Sequence, residues 1–468
     1  MLKSLGIFME CLPDDLELCK DPSILKQNIS RLKFYERFGA RPIINTKYET
    51  PVKDGEDNPP YLVLDDLGQN LKIPRNLIRK IVRVILERKY GHYCPPSYID
   101  MVVDSFRDDF VQLRPFRYIK ENEVIGLLSE VPEDRLIHLI VNDQHQIHHV
   151  HERGYVESPV RISAILKQIL PVGLFREIPV KHFGIQYIMD VHDKKFVQYF
   201  KAISNKISSG KSVYPYVFPI RNKTRPPKEL PIRAGYYCID TFTPLNAEAY
   251  KAARRAVDCA LTGAEQILNG HALAYALVRP PGHHAEREAF GGFCYFNSSA
   301  IAANYLSRYG KVAILDLDYH HGNGQQDIFY NRRDVLTISL HGHPSFAYPY
   351  FSGYSDELGE GEGLGYNFNF PLPENVDGRK YRLALEKAIA KIEEYDPAFL
   401  VVALGLDTAK GDPTGTWSLS SQDFYENGKL IANLKKPTLI VQEGGYNSRN
   451  LGINAKNFFM GLAGLSRK

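Results

Sequence analysis

The sequence predicts an α/β fold: a doubly wound, mainly parallel sheet with helices on both faces, joined to a small N-terminal α+β unit. Three observations predict it. After residue 270 the apolar runs are continuous rather than alternating, as in strands buried on both faces. Stretches with apolar residues at helical spacing separate those runs, the arrangement of helices layered on a sheet. A chain of 468 residues is also too long for one ordinary core, so a second unit or one large α/β domain is expected.

Residues 1–112 have a texture of their own, with short mixed segments and a helix at "PRNLIRKIVRVILERKY"; a connection at 113–134 follows. A strand, "RLIHLIVND" (135–143), opens the larger unit, 135–468. Ser158 and Pro159 read as the N-cap and first residue of a helix. Residues 205–233 hold Pro, Gly, Tyr and Lys/Arg without a period, an excursion of the length that serves function or is disordered. In "TPLNAEAYKAARRAVDCALTGAEQILNG", Thr243 is the expected N-cap, Pro244 the first helical residue and Gly270 the residue past the end. The strands "ALAYALVRP" (272–280), "KVAILDLD" (311–318), "DVLTISLH" (334–341), "AFLVVALGLD" (398–407) and "PTLIVQEGG" (437–445) follow. Helices at "NSSAIAANYLSRYG" and "YRLALEKAIAKIEEY" lie among them.

Composition excludes several classes. An apolar share of 44% and a charged share of 24% are those of a globular protein in water. The longest apolar run, "AFLVVALGL", is far short of a membrane span, and the acid-rich start is not a signal peptide. Six scattered cysteines without a CxxC pair read as free thiols in a reducing compartment, hence a cytoplasmic protein. A net charge of +4 is weak for this length, so neither a membrane nor a specific nucleic acid is an expected partner. "GEGEGLGYNFNF" lacks the G-x-G-x-x-G spacing and reads as a turn into a strand. The histidines at 138, 145, 148, 149 and 151 lack a regular ligand spacing, and Cys294 reads as a small wall residue.

Ligands of open parallel sheets bind beyond the carboxyl ends of the strands. His283 and His284 follow the first of the five strands. Asp316, Asp318 and His320 end the second, Asp407 ends the fourth, and Gly444-Gly445-Tyr446 follows the fifth. Alternation puts Asp316, Asp318 and His320 on one face of an extended segment. Asp318, His320 and Asp407 are the expected metal ligands, three in number with one position open for water, the layout of a catalytic zinc site. Zn²⁺ suits them; Fe²⁺ and Co²⁺ are not excluded. Hydrolysis then needs a base and an oxyanion donor. One histidine of the pair serves as base while the other helps to hold the water, and Tyr446 is the expected donor.

The motifs "RPPGHHA", "GGFCYFN", "DLDYHHGNGQQDIFY", "SLHGHP", "LGLDTAKGDP" and "EGGY" resemble those of the zinc-dependent histone deacetylase and acetylpolyamine amidohydrolase family, over about 135–468. "RAGYYCIDTFTP" and "PYFSGYSDE" resemble the acetylpolyamine branch more closely. The resemblance implies an arginase-like fold and a metal-dependent deacetylase. It implies the same three ligands, Tyr446 as transition-state donor, His284 as the base and His283 as its partner, with Asp316 bonded to His283. Asn323 stands where many members carry Asp, leaving the second histidine a neutral partner. Phe293 and Tyr348, with Gly292 beside them, match the walls of a channel for a slim alkyl-amide. A K⁺ site at Asp316, Asp318, His320, Ser339 and Leu340 is also implied.

The expected substrate is an acetylated amine, either an acetylpolyamine or acetyl-lysine on a protein. A polyamine pocket should present carboxylates, whereas the excursion carries Lys206, Lys211, Arg221, Lys223, Arg225, Lys228 and Arg233 against Glu229. A second copy of the chain, as a homodimer, is a candidate partner. "NISRLKFYERFGARPI" (28–43) resembles the last helix and turn of GNAT-type acetyltransferases, with "SLGIFMECLP" and "PPYLVLDDLG" as flanking strands and Asn28 and Tyr35 at cofactor-proximal positions. Lacking the pyrophosphate loop, this unit is expected to be a truncated remnant or an interaction module. The alternative for the whole chain is a non-catalytic scaffold or binding module with that vestigial segment.

Overall fold

The computed structural model describes residues 6–19, 21–53, 59–69, 72–120, 135–152 and 154–465. They fall into two compact units divided near residue 130. The first contains β1 (Ile7–Cys11), α1 (Pro22–Glu36), β2 (Arg41–Pro42), β3 (Tyr61–Asp65), α2 (Arg75–Tyr90) and α3 (Pro96–Asp104). Its strands pair antiparallel in the order β1-β3-β2. Helix α1 starts where the Asp21 carboxylate accepts from Ser23 N and Pro22 occupies the first turn. Helix α2 buries Ile78, Val82 and Leu86, one face at four-residue spacing, in a core shared with Leu62 and Leu64 of β3 and Val102 of α3.

This unit extends beyond residue 112. Buried Asp14 needs partners for its carboxylate, and they come from Arg114 (2.7 Å) and Tyr118 (2.5 Å). Residues 113–118 are therefore part of the unit, not of a linker beginning at 113. The rest of that connection, from residue 121 to 134, lies outside the described residues.

The second unit runs through β4 (Ile137–Val141), α4 (Val160–Ile169), β5 (Phe175–Glu177), α5 (Gln186–Met189), α6 (Lys194–Ser204), β6 (Ser212–Val213), α7 (Leu230–Arg233), β7 (Leu245–Asn246) and α8 (Ala249–Leu268). It continues through β8 (Leu273–Leu277), α9 (Ser298–Leu306), β9 (Val312–Asp316), α10 (Asn323–Phe329), β10 (Val335–Gly342) and β11 (Asn367–Leu372). It ends with α11 (Gly378–Tyr395), β12 (Phe399–Leu404), α12 (Ser421–Ala432), β13 (Thr438–Gln442) and α13 (Leu451–Leu462). Eight strands form one sheet in the order β11-β10-β9-β12-β13-β8-β4-β5, with every pairing parallel. Successive residues of β9 enter opposite cores. Val312 and Ile314 pack toward α8 and α9, while Ala313 and Leu315 pack toward α4, α11, α12 and α13. Burial on both faces is why these strands read as unbroken apolar runs.

Two helix starts differ from expectation. Helix α8 begins at Ala249 rather than Pro244, because the Asp240 carboxylate captures the backbone N–H groups of Phe242 and Thr243 in a turn. Helix α4 begins at Val160, with Pro159 in the capping position and Ser158 one residue outside. The excursion at 205–233 holds the short elements β6 and α7. All six cysteines are free and buried. Among the described residues no helix is long and apolar enough to cross a membrane.

Candidate active site

The strands β9, β12, β13 and β8 are neighbours in the sheet, so their carboxyl ends lie side by side. The loops leaving them carry the expected catalytic residues and the three expected zinc ligands. His320 Nδ1 lies 3.2 Å from Asp318 Oδ1 and 3.1 Å from Asp407 Oδ2. In a tetrahedral site with bonds of about 2.0 Å, neighbouring ligand atoms stand about 3.3 Å apart, so this spacing fits a shared cation. Backbone donors aim the carboxylates. Gly444 N donates to Asp318 Oδ2 (2.8 Å), and Tyr319 N donates to Asp407 Oδ1 (2.9 Å). Glycine is required at 444, since a Cβ there would lie 2.5 Å from Asp318 Oδ2 and 2.7 Å from Asp407 Oδ2.

Electrostatics point the same way. Burial and the facing Asp318 carboxylate push Asp407 up to about 7, whereas at Asp318 burial is outweighed by His283 and His320, which hold it well below the usual range. Two fully buried carboxylates converging on one point cannot both ionise cheaply without a cation between them. The donor set of two carboxylates and one imidazole therefore fits a divalent metal.

The histidine rings lie with centroids 3.9 Å apart and planes tilted by 40°, and their partners set them apart chemically. His283 Nδ1 lies 3.0 Å from Asp316 Oδ2; although burial opposes it, Asp318 and Asp316 push His283 up to about 10. His284 Nδ1 lies 2.7 Å from Asn323 Oδ1, and burial with its neighbours His283 and His320 pushes it well below the ordinary imidazole value. One ring favours the charged form and the other the neutral form, the separation that acid–base work requires.

Glu443, unassigned from sequence, holds the histidine turn in place. Its carboxylate accepts from Gly282 N (2.6 Å), His283 N (3.0 Å) and Ser299 Oγ (2.8 Å). Arg161 was also unassigned. It donates to Gly445 O (2.6 Å), lies 4.8 Å over the Tyr446 ring and pairs with buried Glu157, which Arg279 grips at 2.7 Å through two nitrogens. Asp412 Oδ2 accepts from Tyr446 N (2.7 Å) and Asn447 N (3.0 Å), fixing the same loop.

Phe293 and Tyr348 lie on either side of Phe242, at 5.7 and 5.6 Å between centroids, and Tyr348 packs edge-on to His284 at 4.8 Å. Gly292 and Phe293 both adopt left-handed backbone, with φ of 56° and 67°. A Cβ on Gly292 would lie 2.2 Å from the His284 ring, so only glycine fits. One buried carboxylate ties these residues together: Asp240 Oδ2 accepts from Gly292 N (2.6 Å), Tyr348 Oη (2.9 Å) and Thr243 Oγ1 (3.0 Å). Thr243 Oγ1 in turn accepts from Phe293 N (3.1 Å). The residue expected to cap a helix instead supports the Gly292–Phe293 turn.

Ser339 stands opposite Asp316 in the β9–β10 register, with Leu340 next to it, so the residues expected at a K⁺ site are gathered at one strand end. Among the described residues the N-terminal histidine group of this unit forms no metal-ligating cluster; His138 bonds Gln266 and His148 bonds Asn246. Burial pushes the Cys294 thiol well above its ordinary value, as befits a wall residue.

A parallel sheet with a histidine pair and an Asp-His-Asp cluster at four adjacent strand ends defines an amidohydrolase of the arginase/deacetylase fold. The histone deacetylase domain family matches residues 155–462, and the chain belongs to that family. Its activity is that of a deacetylase. It is 42% identical over 341 residues to acetylpolyamine amidohydrolase 2 of Pseudomonas aeruginosa, covering 70% of this chain and 99% of that protein. It is 35% identical over 315 residues to acetylpolyamine amidohydrolase of Mycoplana ramosa, covering 66% and 92%. The crystal structure of acetylpolyamine aminohydrolase from Burkholderia pseudomallei superposes with a TM-score of 0.66 at 34% identity, covering 70% of this chain and 99% of the other.

Proposed function

We propose that the chain hydrolyses the amide of an acetylated amine, using a divalent metal, Zn²⁺ first, held by Asp318, His320 and Asp407. The carrying observation is the convergence of these three side chains at 3.1–3.2 Å around His320 Nδ1, beside a histidine pair with opposed proton preferences. When bound, the metal lowers the pKa of a coordinated water and polarises the substrate carbonyl. His284 is the base: a proton on Nδ1 shared with Asn323 Oδ1 leaves Nε2 free to take one from water. His283, charged against Asp316, adds positive charge near the reacting centre. Tyr446 donates its hydroxyl to the developing oxyanion, and burial keeps that phenol protonated by pushing it well above its ordinary value.

Phe293, Tyr348 and Gly292 form the channel for the acylated alkyl chain. The named relatives make an acetylpolyamine the first substrate to test. The basic excursion, whose Lys206, Lys211, Arg221, Lys223, Arg225 and Lys228 are largely open to solvent, favours acetyl-lysine in an acidic protein as the second. K⁺ against Asp316, Asp318, His320, Ser339 and Leu340, a cytoplasmic location and a homodimer belong to the same proposal; six free thiols support the location. For residues 6–120 we keep the reading of an acetyltransferase remnant or interaction module, because the buried Asn28 amide is committed to Pro13 O (2.9 Å).

The test is paired. Asp407→Ala should lose the metal by elemental analysis and lose turnover, while far-ultraviolet circular dichroism stays native. Full metal occupancy in that variant would remove the ligand assignment. Turnover of acetylputrescine against an acetyl-lysine peptide then separates the two substrate classes.

A further inference from the structure

We propose that Glu286 is a positioning residue that sets the tautomer of His284 through Asn323, resting on the reading of His284 as the base. Asn323 is buried at the start of α10. Its Oδ1 faces His284 Nδ1 at 2.7 Å and its Nδ2 faces Glu286 Oε1 at 2.8 Å. An asparagine amide turned end for end keeps its shape but exchanges acceptor for donor. One orientation offers oxygen to the imidazole and requires a proton on Nδ1, leaving Nε2 free. The other offers NH₂ and drives the proton to Nε2, where it blocks the base.

Something must choose between them. An ionised carboxylate only accepts, so Glu286 can face only the NH₂ end, and the oxygen must then face His284. A weaker contact of Nδ2 with His284 O (3.3 Å) pulls the same way. Glu286 is itself held, its N–H donating to Ala289 O (2.9 Å) and its carbonyl lying 2.8 Å from His192 Nδ1. A carboxylate in place of the Asn323 amide would accept from the ring unaided. The asparagine at 323 therefore needs the acid at 286, and the two positions form one device.

Burial and the nearby Asp327 push Glu286 up to about 7, against the Asn323 hydrogen bond and the opposing charge of Lys223. Below that pH a protonated Glu286 can donate to Oδ1 and the selection weakens. Arg287 N donates to Asp327 Oδ2 (2.8 Å), and His192, whose Nε2 accepts from Asn297 N (2.9 Å), is held neutral by burial.

A double-mutant cycle on the metal-loaded enzyme tests this. Glu286→Lys replaces an acceptor by a donor and inverts the selection. We expect kcat to fall at least about tenfold with KM little changed, within the usual contribution of a general base. Asn323→Asp alone sets two carboxylates face to face and should also lose activity. When both substitutions are combined, the carboxylate introduced by Asn323→Asp accepts from His284 Nδ1–H on one side and from the lysine ammonium on the other. In that double variant kcat should recover to within about threefold of the parent. Loss of the acid limb near pH 7 from its kcat profile is expected as well. A double variant no more active than either single variant, at equal metal content, overturns the proposal. The comparison with Asn323→Asp carries the test even if Glu286→Lys alone does not fold. Full kcat in His284→Ala would instead remove the underlying reading, and the proposal with it.

Discussion

At the scale of the residue, Tyr446 is held from three sides by groups other than its hydroxyl. Arg161 lies over the ring, Phe293 meets its edge at 5.7 Å, and Asp412 takes its backbone N–H. Removing only the oxygen should leave that frame intact. Loss of one oxyanion donor costs about 10²–10³ in kcat, or roughly 3–4 kcal/mol, and a contact made mainly in the transition state leaves KM little changed. Tyr446→Phe should therefore be folded, metal-replete and at least about a hundredfold slower in kcat, as that range implies. Steady-state kinetics with either acetylated substrate checks it. A change confined to KM would make Tyr446 a substrate-positioning residue.

At the scale of the element, the loop from Asp240 to Thr243 and the turn at Gly291–Phe293 are hydrogen-bonded into one wall of the proposed channel. Thr243→Val keeps the shape but takes away the acceptor for Phe293 N, and an unsatisfied buried N–H costs about 1–3 kcal/mol. Phe293, in left-handed backbone, should relax first. The expected outcome is a narrower preference for acetyl over butyryl amides, read as the ratio of their kcat/KM values, with metal content unchanged; an unaltered ratio would remove Thr243 from the wall. This loop also shows what a sequence conceals. Thr243-Pro244 satisfies the rule for a helix start, yet Asp240 Oδ1 captures the backbone of Phe242 and Thr243, while its other oxygen meets Tyr348, 108 residues away. Glu443 was illegible because its partners are distant in the chain, Gly282 and His283 standing 161 and 160 residues earlier. The strands and the acids and histidines gathered at their ends were legible because their signals are local: unbroken apolar runs, and polar groups at their carboxyl ends. The linker boundary was not, since Arg114 is tied to the first unit by partners far back in the chain, Asp14 at 2.7 Å and Pro42 O at 2.8 Å.

At the scale of the whole molecule, the proposed metal joins the loops after β9 and β12, and hydrogen bonds tie to them the loops after β13 and β8. Gly444 N donates to Asp318, Tyr319 N to Asp407, and His283 N to Glu443, so the loops share one set of buried charges. Without a cation, the buried carboxylates of Asp407 and Asp318 oppose each other, and the loops must loosen or take up a proton. A metal at a hundred times its Kd stabilises the native state by about 2.7 kcal/mol, a factor of about 100 in the opening equilibrium. Residues 6–120 have a core of their own, built on Ile78, Val82, Leu86 and Val102, and supply none of the proposed ligands. Hydrogen exchange before and after chelation should therefore rise most at the backbone amides of Tyr319, His320 and Gly444, by up to about that same factor. Exchange in β3 and α2 should stay as it was. An equal rise in Tyr61–Asp65 and Arg75–Tyr90 would mean that metal-linked stability is not confined to the catalytic unit, and no rise anywhere would mean that Asp318, His320 and Asp407 hold no metal.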